Sequence, residues 1–188
     1  MQIIETDIPE VKIIMPDVFS DSRGYFFESW NAGRYAELGI GCSWVQDNES
    51  RSSAGVVRGL HYQLAPYTQA KLVRVIEGAV RDVVLDIRRG SPTFGRHVAV
   101  ELSGENRKQL FVPRGFAHGF AVLTEHVVFA YKCDNFYSPS HERGIAFDDP
   151  ALGIDWGVKE YLVSEKDRKN PLFSEAELFS FDRKDHLQ

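Results

Sequence analysis

Between Cys42 and Lys132 the chain divides into eight short β-branched or aromatic runs, and this constrains the fold more than any other feature. The runs are residues 43–48, 55–63, 70–77, 79–87, 96–102, 108–112, 118–123 and 126–132. Glu77-Gly78, Arg89-Gly90-Ser91-Pro92, Ser103-Gly104 and Pro113-Arg114-Gly115 punctuate them, as turns punctuate strands. Strands this short and this closely spaced predict an all-β antiparallel sandwich or jelly roll. No βαβ alternation or internal repeat is present to suggest a parallel sheet or a solenoid.

The flanks carry less regular structure. Residues 11–19 read as a β-rich run, 20–24 as a loop and 25–29 as a short strand. Asn31 is placed to cap a short helix running to Leu38, with Gly39 and Gly41 closing it. Beyond Pro139 the chain is loop-rich. There, residues 162–167 are expected to pack back on the barrel and 174–178 to form a last helical turn. Residues 182–188 are expected to fray. At 188 residues the chain reads as a single domain spanning 1–188, with a core over about 3–175 and a tail over about 176–188.

Charge and cysteine usage narrow the function. A net charge of −5 argues against a general nucleic-acid or membrane binder. No apolar run reaches the roughly 20 residues of a membrane span, and the first residues lack a signal-peptide pattern. Cys42 and Cys133 form no CxxC pair, so free thiols and a cytoplasmic location are expected.

Strand parity identifies the inward side chains. Val127, Phe129, Tyr131 and Cys133 share one face, and Lys71 shares its face with Val73 and Val75. The segment 57–71, VRGLHYQLAPYTQAK, therefore brings Arg58, His61 and Lys71 toward an apolar interior. Charge buried there costs several kcal/mol unless it is paired. Arg58 and His61 have opposite parity, so a bulge or kink at Gly59 is required to turn both into one cavity.

Two resemblances follow. Pro113-Arg114-Gly115-Phe116-Ala117-His118 resembles the second half of the metal-cupin signature. In the first half, His61-Tyr62-Gln63 lacks the second histidine, and Lys71 stands where a ligand glutamate belongs. An ammonium repels a divalent cation, so a cupin-type jelly roll is expected, and a metal site is not. More specifically, FSDSRGYFFESW, VQDNESRS, VRGLHYQ, QAKLVRVIEG, VPRGFAHGF, YKCDNFYSP, ERGIAFDDP and SEKDRKNPLF occur in that order. Together they resemble the dTDP-4-dehydrorhamnose 3,5-epimerase family. The resemblance implies a cupin-type jelly roll (a double-stranded β-helix) with a few short peripheral helices. It also implies a cofactor-free homodimer with strand exchange, whose substrate is a dTDP-4-keto-6-deoxy sugar.

The residues suit that chemistry. Epimerisation beside a ketone needs a base, a stabiliser for the enolate oxygen and an acid on the opposite face. His61 has the chemistry of the base. Lys71 beside it disfavours an imidazolium, so the site calls for a carboxylate. The resemblance makes His61 the proton acceptor, Asp167 the carboxylate that orients it, Lys71 the enolate stabiliser and Tyr131 the acid. Arg23 and Arg58 suit phosphate oxygens or sugar hydroxyls. By resemblance His118 lies near the sugar, and Glu28, Gln46, Asp47, Asn48, Glu142 and Lys166 surround the ligand. Phe19, Phe120 and Tyr137 are candidate stacking surfaces for thymine, each with core packing as the alternative. Arg51 and Arg74 either neutralise the pyrophosphate or are paired surface charges. Three other functions fit the same residues: a single-site (C3 or C5) epimerase, an epimerase for another nucleotide-linked sugar, and a non-catalytic nucleotide-sugar-binding cupin.

Overall fold

The β-rich middle of the chain folds into two facing sheets in a computed structural model that describes residues 1–182. All but the first residue of the segment expected to fray thus lies outside the described residues. The N-terminal elements are β1 (Gln2–Glu5), β2 (Lys12–Met15), β3 (Phe19–Asp21), β4 (Gly24–Phe26) and α1 (Ala32–Glu37). The barrel follows with β5 (Gln46–Ser53), β6 (Val56–Gln63), β7 (Lys71–Glu77) and β8 (Ala79–Asp86). Then come β9 (Arg88–Arg89), β10 (His97–Ser103), β11 (Gln109–Val112), β12 (Phe116–Val122) and β13 (His126–Cys133). The C-terminal part holds β14 (Glu142–Gly144), β15 (Leu162–Val163), a 3-10 turn over Asp167–Lys169 and β16 (Phe179–Ser180).

One six-stranded sheet runs β1-β2-β11-β7-β13-β5. The other runs β10-β8-β12-β6-β14, with β15 lying parallel beside β6. The two face each other across a core that includes Val73, Val84, Leu110, Phe120, Val127 and Phe129. This is the antiparallel jelly roll that the strand spacing predicts.

A second apolar layer covers the outer face of the second sheet. In β8 both faces are buried from Asp82 to Asp86, so the alternation of a one-sided strand is lost there. Residues beyond the barrel cause this: Ile145, Phe147, Trp156, Val163 and Phe179 pack onto that face with Leu85 and Ile87. Each such side chain fully buried contributes about 1.5–3 kcal/mol. This layer anchors the C-terminal segment that delivers Asp167.

Several element boundaries differ from the sequence reading. The run over 11–19 stops at Met15, because Pro16 has no N–H to offer the ladder. The strand expected over 43–48 starts at Gln46 and continues to Ser53, paired with β13 along its whole length. Residues 174–178 form no helix. Glu175 N–H closes a turn on Leu172 O at 3.0 Å, and β16 pairs with β9 instead. So short a helix gains little on its own; the chain makes one turn and then extends into β16. Ala176 and Phe179 are buried, so the packed body passes the 175/176 boundary read from the sequence. Asn31 does cap α1, accepting from Arg34 N–H at 3.1 Å. No helix among the described residues is long and apolar enough to cross a membrane.

Candidate active site

Gly59 sets the geometry of the site. His118 pairs with His61 and Phe120 with Arg58, so β6 carries one residue more than β12 between the two pairs. That is the β-bulge the parity argument requires. Gly59 sits in it at φ +121°, where a Cβ would lie 2.6 Å from Gly119 Cα and 2.8 Å from His118 O. Past the bulge, Arg58 and His61 both line one cavity.

That cavity, about 210 Å³, is walled by Arg58, His61, Lys71, His118 and Tyr131, with Phe120 and Phe129 among its apolar lining. A second hollow of about 90 Å³ shares His61, Lys71 and Tyr131 and adds Gln46, Asn48, Cys133, Tyr137 and Glu142. His61 stands on the second sheet, Lys71 and Tyr131 on the first. Base and acid candidates therefore face each other across the barrel.

The 3-10 turn places Asp167 Oδ1 2.6 Å from His61 Nε2. An ionised carboxylate only accepts, so Nε2 carries the proton and Nδ1 keeps a lone pair. Burial raises the Asp167 pKa, but its hydrogen bonds, the one to His61 above all, outweigh burial and hold the carboxyl below its ordinary value. Lys71 opens β7 opposite Cys133, its Nζ 5.9 Å from the centre of the Tyr131 ring. Burial draws the Lys71 pKa down, against Cys133, Asp82 and Glu142. Burial also raises the Tyr131 pKa, keeping the phenol protonated as a donor must be. His118 Nε2 lies 2.9 and 3.0 Å from the two oxygens of Asp82.

A hydrogen-bonded rim surrounds the opening. Tyr137 N–H donates to Gln46 Oε1 at 3.1 Å, and its hydroxyl donates to Glu142 Oε2 at 2.6 Å. Lys166 pairs with the same oxygen. Burial pushes the Glu142 carboxyl up, but Lys166 and Tyr137 hold it below the usual range. The bond to Glu142 raises Tyr137 and Lys166 in turn. Gln46 Nε2 donates to Asn48 Oδ1 at 2.9 Å within β5, and the bond from Tyr137 N–H ties that strand to the rim.

Other residues singled out in the sequence lie elsewhere. Asp47 points to the outer face of the first sheet and holds Lys132 at 2.9 Å, because it alternates with the inward Gln46 and Asn48. Arg51 and Arg74 have that outward parity too. Phe19 and Arg23 belong to the exposed β3–β4 hairpin, where Arg23 binds Asp21. Glu28 accepts from Arg34 at 2.7 Å beside α1. Phe120 is 4% exposed and stacks on Phe129 at 4.3 Å, so it is wall rather than platform. Among the three aromatic candidates Tyr137 alone stands at the opening, 52% exposed. Asp82 was missed; the signal for it is its shared parity with Val80 and Val84, which face the core.

A family model described as dTDP-4-dehydrorhamnose 3,5-epimerase matches residues 5–175. A dTDP-4-dehydrorhamnose 3,5-epimerase of Shigella flexneri is 51% identical over 180 residues, covering 95% of this chain and 99% of that one. The crystal structure of a dTDP-6-deoxy-D-glucose-3,5-epimerase from Legionella pneumophila in complex with dTDP-4-keto-L-rhamnose superposes with a TM-score of 0.93 at 50% identity, covering 96% of this chain and 98% of that chain. A 3'-monoepimerase from Streptomyces bikiniensis in complex with dTDP-quinovose superposes at 0.89 with 30% identity, covering 98% and 99%.

Proposed function

Because the chain belongs to the dTDP-4-dehydrorhamnose 3,5-epimerase family, we propose that it converts dTDP-4-dehydro-6-deoxy-D-glucose to dTDP-4-dehydro-L-rhamnose, in dTDP-L-rhamnose biosynthesis. The observation that carries the reading is the placement of His61, backed by Asp167, opposite Tyr131 across one cavity with Lys71 beside it.

His61 Nδ1 takes the proton from a carbon next to the C4 ketone, and the C–H electron pair moves into the enolate. The Lys71 ammonium faces the developing enolate oxygen, a role that typically lowers the barrier by about 2.7–4 kcal/mol. Tyr131 gives its phenolic proton to the opposite face of the same carbon, which inverts it. His61 then gives its proton to solvent and Tyr131 takes one back, and the same steps repeat at the other carbon. Oxidation state is unchanged throughout, so the steps balance with proton transfers alone.

A cavity of about 210 Å³ is smaller than the roughly 300–1,000 Å³ of sites that enclose a whole ligand. It suits the sugar, and the nucleotide then lies at the opening, where the exposed Tyr137 ring offers thymine a stacking face. Arg58 and His118 hold the sugar side, and Gln46, Asn48, Glu142 and Lys166 the rim. Phe19, Arg23 and Glu28 reach the cavity of a second copy in a homodimer. Support for this comes from the β3–β4 hairpin, which exposes Phe19 at 64% and Phe26 at 65%. Apolar surface of that kind marks an interface.

Incubation of the keto sugar in deuterated water tests the reaction. Label enters at C3 and C5 with wild type and at neither with His61→Ala. Tyr131→Phe keeps exchange and loses the double inversion. Full exchange by His61→Ala overturns the base assignment. Label at one carbon only, with one inversion, assigns the chain to the single-site reaction of its Streptomyces bikiniensis neighbour.

A further inference from the structure

Asp82 and Asp86 are both 0% exposed. Asp86 is occupied by Arg88, Ser91 and Thr93. Asp82 has one hydrogen-bond partner among the described residues, His118 Nε2, and the chemistry above gives it no task. A buried carboxylate is costly unless pairing compensates it. An apolar strand position would avoid that cost, so what Asp82 does for its neighbours must explain it.

Its surroundings are few. Across β10 it meets the apolar Val100, and across β12 it is register partner to Phe120. The charged or titratable groups acting on it are His118 from β12 and Lys71 from β7. Those acting on Lys71 are Cys133 from β13, Asp82 from β8 and Glu142 from β14. Arg58, His61 and Tyr131 line the same cavity. His118 is the direct cross-strand partner of His61. The cavity wall thus carries two imidazoles side by side, each bound to its own carboxylate.

We propose that Asp82 is a positioning residue for the epimerisation: it fixes the His118 proton on Nε2, leaving Nδ1 to accept a hydrogen bond from the sugar, and, with Cys133 and Glu142, it is one of the acids around the cavity that favour the Lys71 ammonium. The inference rests on the epimerase reading and adds to it a second His–carboxylate pair. Asp82 acts only through His118 and Lys71. Burial raises its own carboxyl above the ordinary value, and His118 and Lys71 offset only part of that rise. Losing the anion makes the Lys71 ammonium harder to hold, so the alkaline limb of the rate profile moves toward lower pH.

Two measurements test this. Long-range proton–nitrogen NMR of the substrate-free wild type reads the His118 tautomer. The Nε2–H form at neutral pH is expected, and either the Nδ1–H form or an imidazolium overturns the assignment. Kinetics of Asp82→Asn test the coupling: the alkaline limb of kcat/KM is expected to fall by about one pH unit or more, with dTDP affinity within about twofold of wild type. An unmoved limb overturns the role toward Lys71 whatever the loss in kcat. The NMR readout needs neither turnover nor the variant's folding. Failure of the epimerase reading shows separately, as absent deuterium uptake by wild type.

Discussion

Asp167 shows how one carboxylate ties stability to chemistry. It is 5% exposed, and its oxygen holds His61 Nε2 at 2.6 Å. Its pKa is lower in the folded chain than in the unfolded one, despite burial, because His61 favours the charged form. A depressed carboxyl contributes stability above the unfolded value, about 3.9, and loses it as pH falls through the folded value. Asp167→Asn therefore removes part of the acid sensitivity: denaturant midpoints measured below about pH 4 should decline less steeply than in wild type. The same change lowers kcat by about 10²–10⁴-fold, because an amide no longer holds Nε2 as donor or supports the imidazolium. An Asp167→Asn variant with wild-type kcat would remove Asp167 from the mechanism.

At the scale of elements, the bulge in β6 carries the argument. Without the extra residue, Arg58 and His61 would point to opposite faces, and His61 could not share a cavity with Lys71. Gly59→Ala meets two obstacles, a φ of +121° and the backbone of His118 and Gly119 within 2.8 Å. The backbone conformation alone costs about 1–3 kcal/mol, or roughly 2–12 °C in Tm for a chain of this size. Gly41→Ala is the control, with nothing within 4 Å of its Cβ, and should leave Tm nearly unchanged. Equal Tm values for the two variants, by calorimetry, would show that the bulge tolerates a side chain.

This kink was legible in the sequence because two polar residues of opposite parity flanked a glycine. The inward face of β13 was legible for the same reason of period. Where packing outside the barrel decides, the reading failed. Nothing local in residues 174–178 reveals that the chain extends past Glu175 to bring Phe179 and Ser180 onto β9. Asp82 shares the parity of Val80 and Val84, but Val83 and Leu85 on the other parity are apolar too, so the sequence of β8 leaves its core face undecided.

On the scale of the whole molecule, Arg88 ties the segments around Glu10 and Phe181 to the barrel. Its guanidinium binds Asp86 at 2.8 Å and Glu10 at 3.1 Å, and stacks against Phe116 and Phe181. The N-terminal loop and the C-terminal strand are thereby held at the second sheet, and the β3–β4 hairpin is left projecting. Arg23 on that hairpin has a side chain 89% exposed and is bound only by its neighbour Asp21 among the described residues. If the hairpin completes a second copy's cavity, Arg23 and His61 of one chain serve different sites. His61→Ala and Arg23→Ala chains, each impaired alone below KM, then complement when refolded together. A random mixture is half heterodimer, and each heterodimer holds one intact cavity, built from the His61 of one chain and the Arg23 of the other. Activity should rise to about a quarter of wild type, and sedimentation should show a dimer throughout. If instead Arg23 served its own chain's cavity, both sites of the heterodimer would be defective, and mixing would restore nothing.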